Sequence, residues 1–190
     1  METQNTTTAQ EPKPVRGQGV LEWYEALISA ALVLVLVFSF FFRIIQVDGS
    51  SMVPTLVNGD KLIVWGAGYT PQRGDVVIVD SYTSYGKPLV KRVIGLPGDT
   101  VSFSGGYVYI NGQRLEEEYL DQQGGTISPN QTSFTVPEGC LFFLGDNRSG
   151  SNDARYWEES YIPVGNVKAH VLLAISLIGG SSWQGVRAIG

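Results

Sequence analysis

The chain reads as an all-β domain behind one N-terminal membrane helix, and three observations predict this. Short β-type runs alternate with tight-turn residues over most of the length. Twenty-three glycines and nine prolines among 190 residues suit many turns rather than a helical bundle. One long apolar run, 26-ALISAALVLVLVFSFFF-42, stands apart from everything that follows it. The length allows a single domain with at most a small insert.

Residues 1–22 are polar, carry Pro and Gly and lack periodicity, so they read as a disordered tail on the cytoplasmic side. Residues 23–46 read as the transmembrane helix. Seventeen residues at 1.5 Å each span roughly 26 Å, and Ile44, Ile45 and Val47 extend the run to bilayer thickness. Trp23 and Tyr24 mark the near interface, and Arg43 reaches the far one. A cleaved signal peptide would have a shorter apolar core followed by small residues, whereas here the flank is the bulky FFFRIIQV. A buried core helix would keep one solvated face, which this run lacks. Lys13 and Arg16 before the span are offset by Arg43 after it, so the charge rule leans only weakly to an inside N-terminus.

Residues 47–180 read as the extracytoplasmic β domain. Its runs are 61-KLIVW-65, 75-DVVIVD-80, 88-PLVKRVIG-95, 100-TVSF-103, 107-YVYI-110, 132-TSFTV-136 and 140-CLFFL-144. YVYI-NG-QRL predicts a hairpin with Asn-Gly in a type I′ turn. The run 171-VLLAISLI-178 is too short to span a bilayer and reads as a buried strand. About 104–136 is more polar and reads as a small appended subdomain or loop; 181–190 reads as a C-terminal tail.

Composition excludes several chemistries. A net charge of −5 lacks the basic footprint of a nucleic-acid binder. A single cysteine, Cys140, and a single histidine, His170, rule out a disulfide framework and a Cys- or His-rich metal site, and no cofactor is expected. His170 lies in an apolar strand and Cys140 in EGCLFFL, so both read as structural. Glu116–Glu118 reads as a solvated charge run. Hydroxyl plus amine remains. A serine is activated by a neutral lysine, and a lysine that ordinarily titrates near ~10.4 is neutral near pH 7 only when buried. Lys91, inside 88-PLVKRVIGL-96, fits best, although the run alone also suits a surface lysine on an edge strand.

At this point the residues carry a resemblance to type I signal peptidases, membrane-bound serine proteases with a Ser/Lys dyad. Five stretches match in order: GSSMVPTL (49–56), RGDVVIV (73–79), VKRVIGLPGDTV (90–101), YVYINGQRLEEEYL (107–120) and VPEGCLFFLGDNRSGSNDARYW (136–157). Together with the span the resemblance covers 26–170. It implies Ser51, the serine before Met52, as nucleophile and Lys91 as general base. It implies Ser151 as the serine that orients the lysine, with Asp146, Asp153 and Arg155 as an Asp/Arg support. The Ser51 backbone N–H is the expected oxyanion donor. The serine that some members carry two residues earlier is Gly49 here, and Ser50 points away in an extended segment.

Further departures are Ser149-Gly150 in place of Asp-Asn, Ala154 in place of Ser, and Glu158 in place of Gly. Ile45, Val47, Leu56 and Val90 are the expected walls of apolar pockets that admit alanine. The implied substrates are secretory preproteins with small residues at −3 and −1, met at the lipid bilayer. An extended peptide would pair with a strand edge near 81-SYTSYG-86. Trp65, Tyr69 and Tyr82 are candidates for the membrane interface, or ordinary core and surface aromatics. Two other readings compete. A self-cleaving Ser/Lys regulator would need a DNA-binding domain where the span stands. A silent, membrane-anchored peptide-binding β-module would not need both Ser51 and Lys91.

Overall fold

The computed structural model describes residues 18–80, 88–178 and 182–189. Helix α1 runs Gln18–Phe41, and its Gly19–Ser39 stretch of 21 residues is long and apolar enough to cross a membrane. It begins before the expected residue 23 and stops short of 46. The cause lies in the next five residues, FRIIQ, where β-branched Ile44 and Ile45 favour extended backbone. They form β1 (Phe42–Gln46), antiparallel to β2 (Lys61–Trp65), with Phe42 opposite Trp65 and Gln46 opposite Lys61. Arg43 therefore sits on a strand opposite Val64 instead of at a helix end. Phe41 stacks on Trp65 at 5.1 Å and Phe42 meets it edge-on at 5.0 Å, so Trp65 packs on the protein itself.

Residues 41–190 form one compact unit of two sheets. The larger holds β1, β2, β3 (Val76–Val79), β4 (Leu89–Gly95), β9 (Cys140–Leu144), β10 (Ile162–Pro163), β11 (Val167–Ile178) and β12 (Ser182–Ala188). Its order is β1-β2-β11-β3-β4-β9-β10, with β12 also paired to β11. β12 corrects the expected tail. Its Ser- and Gly-containing sequence carries no strand pattern of its own, but β11 offers it a long partner edge. Arg187 anchors it by donating to Asp60 and Ser176, both at 2.9 Å.

The smaller sheet has β5 (Thr100–Ser104), β6 (Tyr107–Ile110), β7 (Gln113–Arg114) and β8 (Ser133–Thr135), in the order β7-β6-β5-β8. Asn111 and Gly112 join β6 to β7 with φ of 52° and 81°, the double left-handed geometry of a type I′ turn. This sheet corrects the expected appendage: Val101, Phe103, Val108 and Phe134 share one core with Phe142, Leu144 and Ala154. Gly95 is required at the junction, because a Cβ there would lie 2.8 Å from the side chains of both Val101 and Val136. The strand edge expected at 81–86, and Tyr82 with it, lie outside the described residues.

Candidate active site

The loop between β1 and β2 presents Ser51. It is closed at its base by Val47 N–H donating to Asp60 O and Gly59 N–H to Val47 O, at 2.8 and 2.9 Å. Gly49 turns with φ of 116°, a conformation that side chains resist, and its N–H donates to Asn58 Oδ1 at 2.9 Å. Met52 and Leu56 are buried and hold the following turn against Leu62, Val64 and Val76. The loop is thus fastened on both sides of the serine.

Lys91 comes from β4, which is bonded to β3 on one side and β9 on the other, with Lys91 opposite Val77. Lys91 is only 3% exposed. Its Nζ lies 2.8 Å from Ser51 Oγ. Burial brings the amine down from its ordinary 10.5 to about 8, against the upward pull of Asp153 and Asp146 and with a smaller downward push from Arg155.

The turn after β9 ties these parts together. Gly145 N–H donates to Asp153 Oδ2 at 2.9 Å, and Asn147 N–H donates to the Ser51 carbonyl at 3.0 Å. Asn147 Nδ2 adds a bond to the Ser50 carbonyl at 3.2 Å. A Cβ on Gly145 would fall 2.1 Å from Ser151 Oγ and 2.5 Å from the Ser51 carbonyl oxygen, so only glycine lets these segments meet.

Beside the dyad lies a cavity of about 340 Å³. Ile45, Val47 and Val90 line it, together with Met52, Ile78 and Leu89, while Arg43 and Lys168 supply charge. Leu56 is a correction. It is fully buried in the core beneath the loop and lines no part of the cavity, because it anchors the turn after Ser51.

Comparisons with known proteins show the family. The family model described as signal peptidase, peptidase S26, matches residues 20–175. The chain belongs to that family. It is 39% identical over 163 residues to a probable signal peptidase I-1 of Synechocystis, covering 77% of this chain and 78% of the relative. It is 37% identical over 164 residues to signal peptidase I T of Bacillus subtilis, covering 81% and 84%. A crystal structure of a signal peptidase I from Enterococcus faecalis V583 is 36% identical with a TM-score of 0.45, covering 54% of this chain and 97% of that one.

Within this S26 frame the expected support residues separate. Asp153 and Arg155 do pair: Arg155 Nε and Nη2 donate to the two carboxylate oxygens at 2.8 and 2.9 Å. Asp146 pairs elsewhere, accepting from Arg92 Nε at 2.8 Å and Nη2 at 2.7 Å and from the Thr55 hydroxyl. Arg92 went unnoticed in the sequence because its partner lies 54 residues away; its only signal is its place beside Lys91. Ser151 is a second correction. It is 5% exposed, but its Oγ makes no hydrogen bond to Lys91 or to any other described group. The turn packs it against the Gly145 backbone instead.

Glu117 is a third correction. Its acidic neighbours are exposed, but it is 4% exposed and binds both Arg148 terminal nitrogens, with Thr126 Oγ1 also accepting from Arg148.

Among the departures from the family pattern, Gly150 is the tightest. A Cβ there would lie 2.6 Å from Asn147 Nδ2, while the Gly150 N–H donates to Asn147 Oδ1 at 3.0 Å. Ala154 is buried in the core, and Ser149 and Glu158 are exposed. His170 stacks on Tyr69 at 4.8 Å with its Nε2 3.7 Å from Asp75, and Cys140 packs at a core margin. The two have separate surroundings and form no dyad. Tyr69 also donates to Asp75, which places it in this cluster. No described group accepts from the Ser51 N–H.

Proposed function

We propose that this chain is a membrane-anchored serine endopeptidase that removes N-terminal signal peptides, with Ser51 as nucleophile and Lys91 as general base. The observation that carries it is the 2.8 Å separation of Lys91 Nζ and Ser51 Oγ around a buried amine. In its neutral form the amine takes the Ser51 proton as Oγ attacks the scissile carbonyl. Negative charge then gathers on the former carbonyl oxygen, and the Ser51 N–H donates to it. Collapse breaks the C–N bond, and Lys91 returns its proton to the departing amine of the mature chain. Lys91 next takes a proton from water, whose oxygen attacks the acyl carbon; the ester C–Oγ bond breaks, the signal peptide leaves, and Lys91 gives the proton to Ser51 Oγ.

The pocket accounts for substrate choice. Branched Ile45, Val47 and Val90 fill the walls and leave depth for a small side chain, which suits alanine at −1 and −3. Asp153–Arg155 and Arg92–Asp146 hold the turn that fixes the Ser51 carbonyl, so they position and do not react. Helix α1 anchors the chain with the N-terminus in the cytoplasm and residues 42–190 outside it. Ser51 follows the last helical residue, Phe41, by only ten residues, which suits a substrate cut where its own apolar segment ends. The silent-module reading gains nothing from a serine and a buried lysine in hydrogen-bond contact.

The test uses the full chain in detergent with a labelled preprotein. Wild type is expected to cut once, at the signal-peptide boundary, while Ser51→Ala and Lys91→Met leave the preprotein intact. An inert wild type, or a variant that cuts at the wild-type rate, overturns the assignment.

A further inference from the structure

A second cavity, of about 300 Å³, adjoins the nucleophile loop just past Ser51. The first cavity is lined by the chain leading up to Ser51 and Met52, and the second by the next residues, Val53 and Pro54. Asn147, whose N–H holds the Ser51 carbonyl, forms part of its wall. Residues 120–122 and Gly125, from the segment between β7 and β8, also line it.

The two cavities differ in charge. Arg43, Lys91, Lys168 and Asp48 line the first, with Lys168 paired to Asp80. Two ionisable residues besides Asp121 line the second, and both are paired. Asp146 is engaged by Arg92, and Arg148 by Glu117, which lies outside the lining. Asp121 is exposed and forms no ion pair among the described residues. The second cavity thus carries one unpaired carboxylate.

We infer that this cavity receives the first residues of the mature chain, beyond the bond that Ser51 attacks, and that Asp121 selects a basic side chain there. The inference rests on Ser51 as nucleophile and on the apolar cavity as the seat of the signal-peptide side. A substrate with its reactive carbonyl at Ser51 and its −1 and −3 side chains in the first cavity leads its other end past Val53 and Pro54. A Lys or Arg in those positions meets Asp121 across solvent-accessible space. A Glu meets the same carboxylate as a like charge.

The experiment uses the full chain with two preproteins that share a signal peptide and differ only at the second and third mature residues, Lys-Lys or Glu-Glu. The readout is the ratio of the two kcat/KM values within each enzyme, which is independent of how much of a variant is folded. Wild type is expected to favour Lys-Lys about fivefold at low salt, the size of an exposed pair's contribution, with the ratio shrinking at high salt. Asp121→Asn is expected to bring it close to one, and Asp121→Lys to invert it. A wild-type ratio of one means that the mature chain leaves through solvent and overturns the inference. A preference that survives Asp121→Asn overturns it equally. In both cases cleavage itself still stands, whereas absence of cleavage of either preprotein by wild type removes the proposed function and this inference together.

Discussion

Lys91 and Arg148 are both buried cations in the same unit, yet they meet opposite fates. Burial is the largest influence on each and disfavours the charged form. At Arg148 the contacting Glu117 carboxylate reverses the outcome and raises the guanidinium above its ordinary value. At Lys91 the contacting group is the Ser51 hydroxyl, and the carboxylates of Asp153 and Asp146 act only through space, so burial prevails. What touches the cation decides whether it becomes a strut or a base. Asp146 and Asp153 are kept from Lys91 because Arg92 and Arg155 already occupy them.

The largest expected effect comes from removing either half of the dyad. Ser51→Ala and Lys91→Met are each expected to lower kcat by about a thousandfold or more, measured on a preprotein under single-turnover conditions. Lys91→Met separates function from stability. The native amine titrates below its unfolded value, so the unfolded chain binds more protons between pH 8 and 10.5, and wild-type stability rises with pH across that window. At pH 7 the full cost is present. Met removes it, so Lys91→Met is expected to be more stable than wild type by up to roughly 3 kcal/mol in urea unfolding at pH 7. The gain fades toward pH 10.5. Equal or lower stability at pH 7 would mean that the site does not resist charge.

The strut side behaves in the opposite sense. Asp153→Ala leaves Arg155, only 2% exposed, without its carboxylate, and the Gly145 N–H without its acceptor. A loss of about 3–5 kcal/mol is expected by denaturant titration. Glu117→Gln keeps the shape and removes the charge opposite Arg148, with a smaller loss of about 2 kcal/mol because Thr126 and the Gly145 carbonyl still accept from the guanidinium. Ser151→Ala comes last. Its buried hydroxyl has no partner among the described residues, so the substitution is expected to leave stability within about 0.5 kcal/mol or raise it slightly. A large loss there would reveal a bond that Ser151 makes in solution.

Legibility in the sequence followed the range of the interaction. The Asn111-Gly112 hairpin, the β3 and β4 runs and the long helix are written in neighbouring residues, and each formed as expected. Strand β1 was hidden because Phe42, Ile44 and Ile45 extend the helix's apolar run, with only Arg43 between them. β12 was hidden because its pairing comes from β11 rather than from its own side chains. In the site, Ser51 and Lys91 were legible through the order of several motifs, and Ile45, Val47 and Val90 through their nearness to those motifs. Arg92–Asp146 and Glu117–Arg148 join residues 54 and 31 apart, which charge type alone cannot pair. Leu56 was misplaced for a related reason: an apolar residue near a nucleophile serves equally as floor or as wall, and only packing decides.

The central claim is that Lys91 works as a neutral base prepared by burial, and the pH dependence of kcat/KM on a preprotein tests it most directly. The amine is active unprotonated and titrates at about 8, so activity is expected to climb with pH through a single ionisation near that value and level off above it. A profile flat from pH 6 to 9, or a rise only near the ~10.4 of an exposed lysine, contradicts the account.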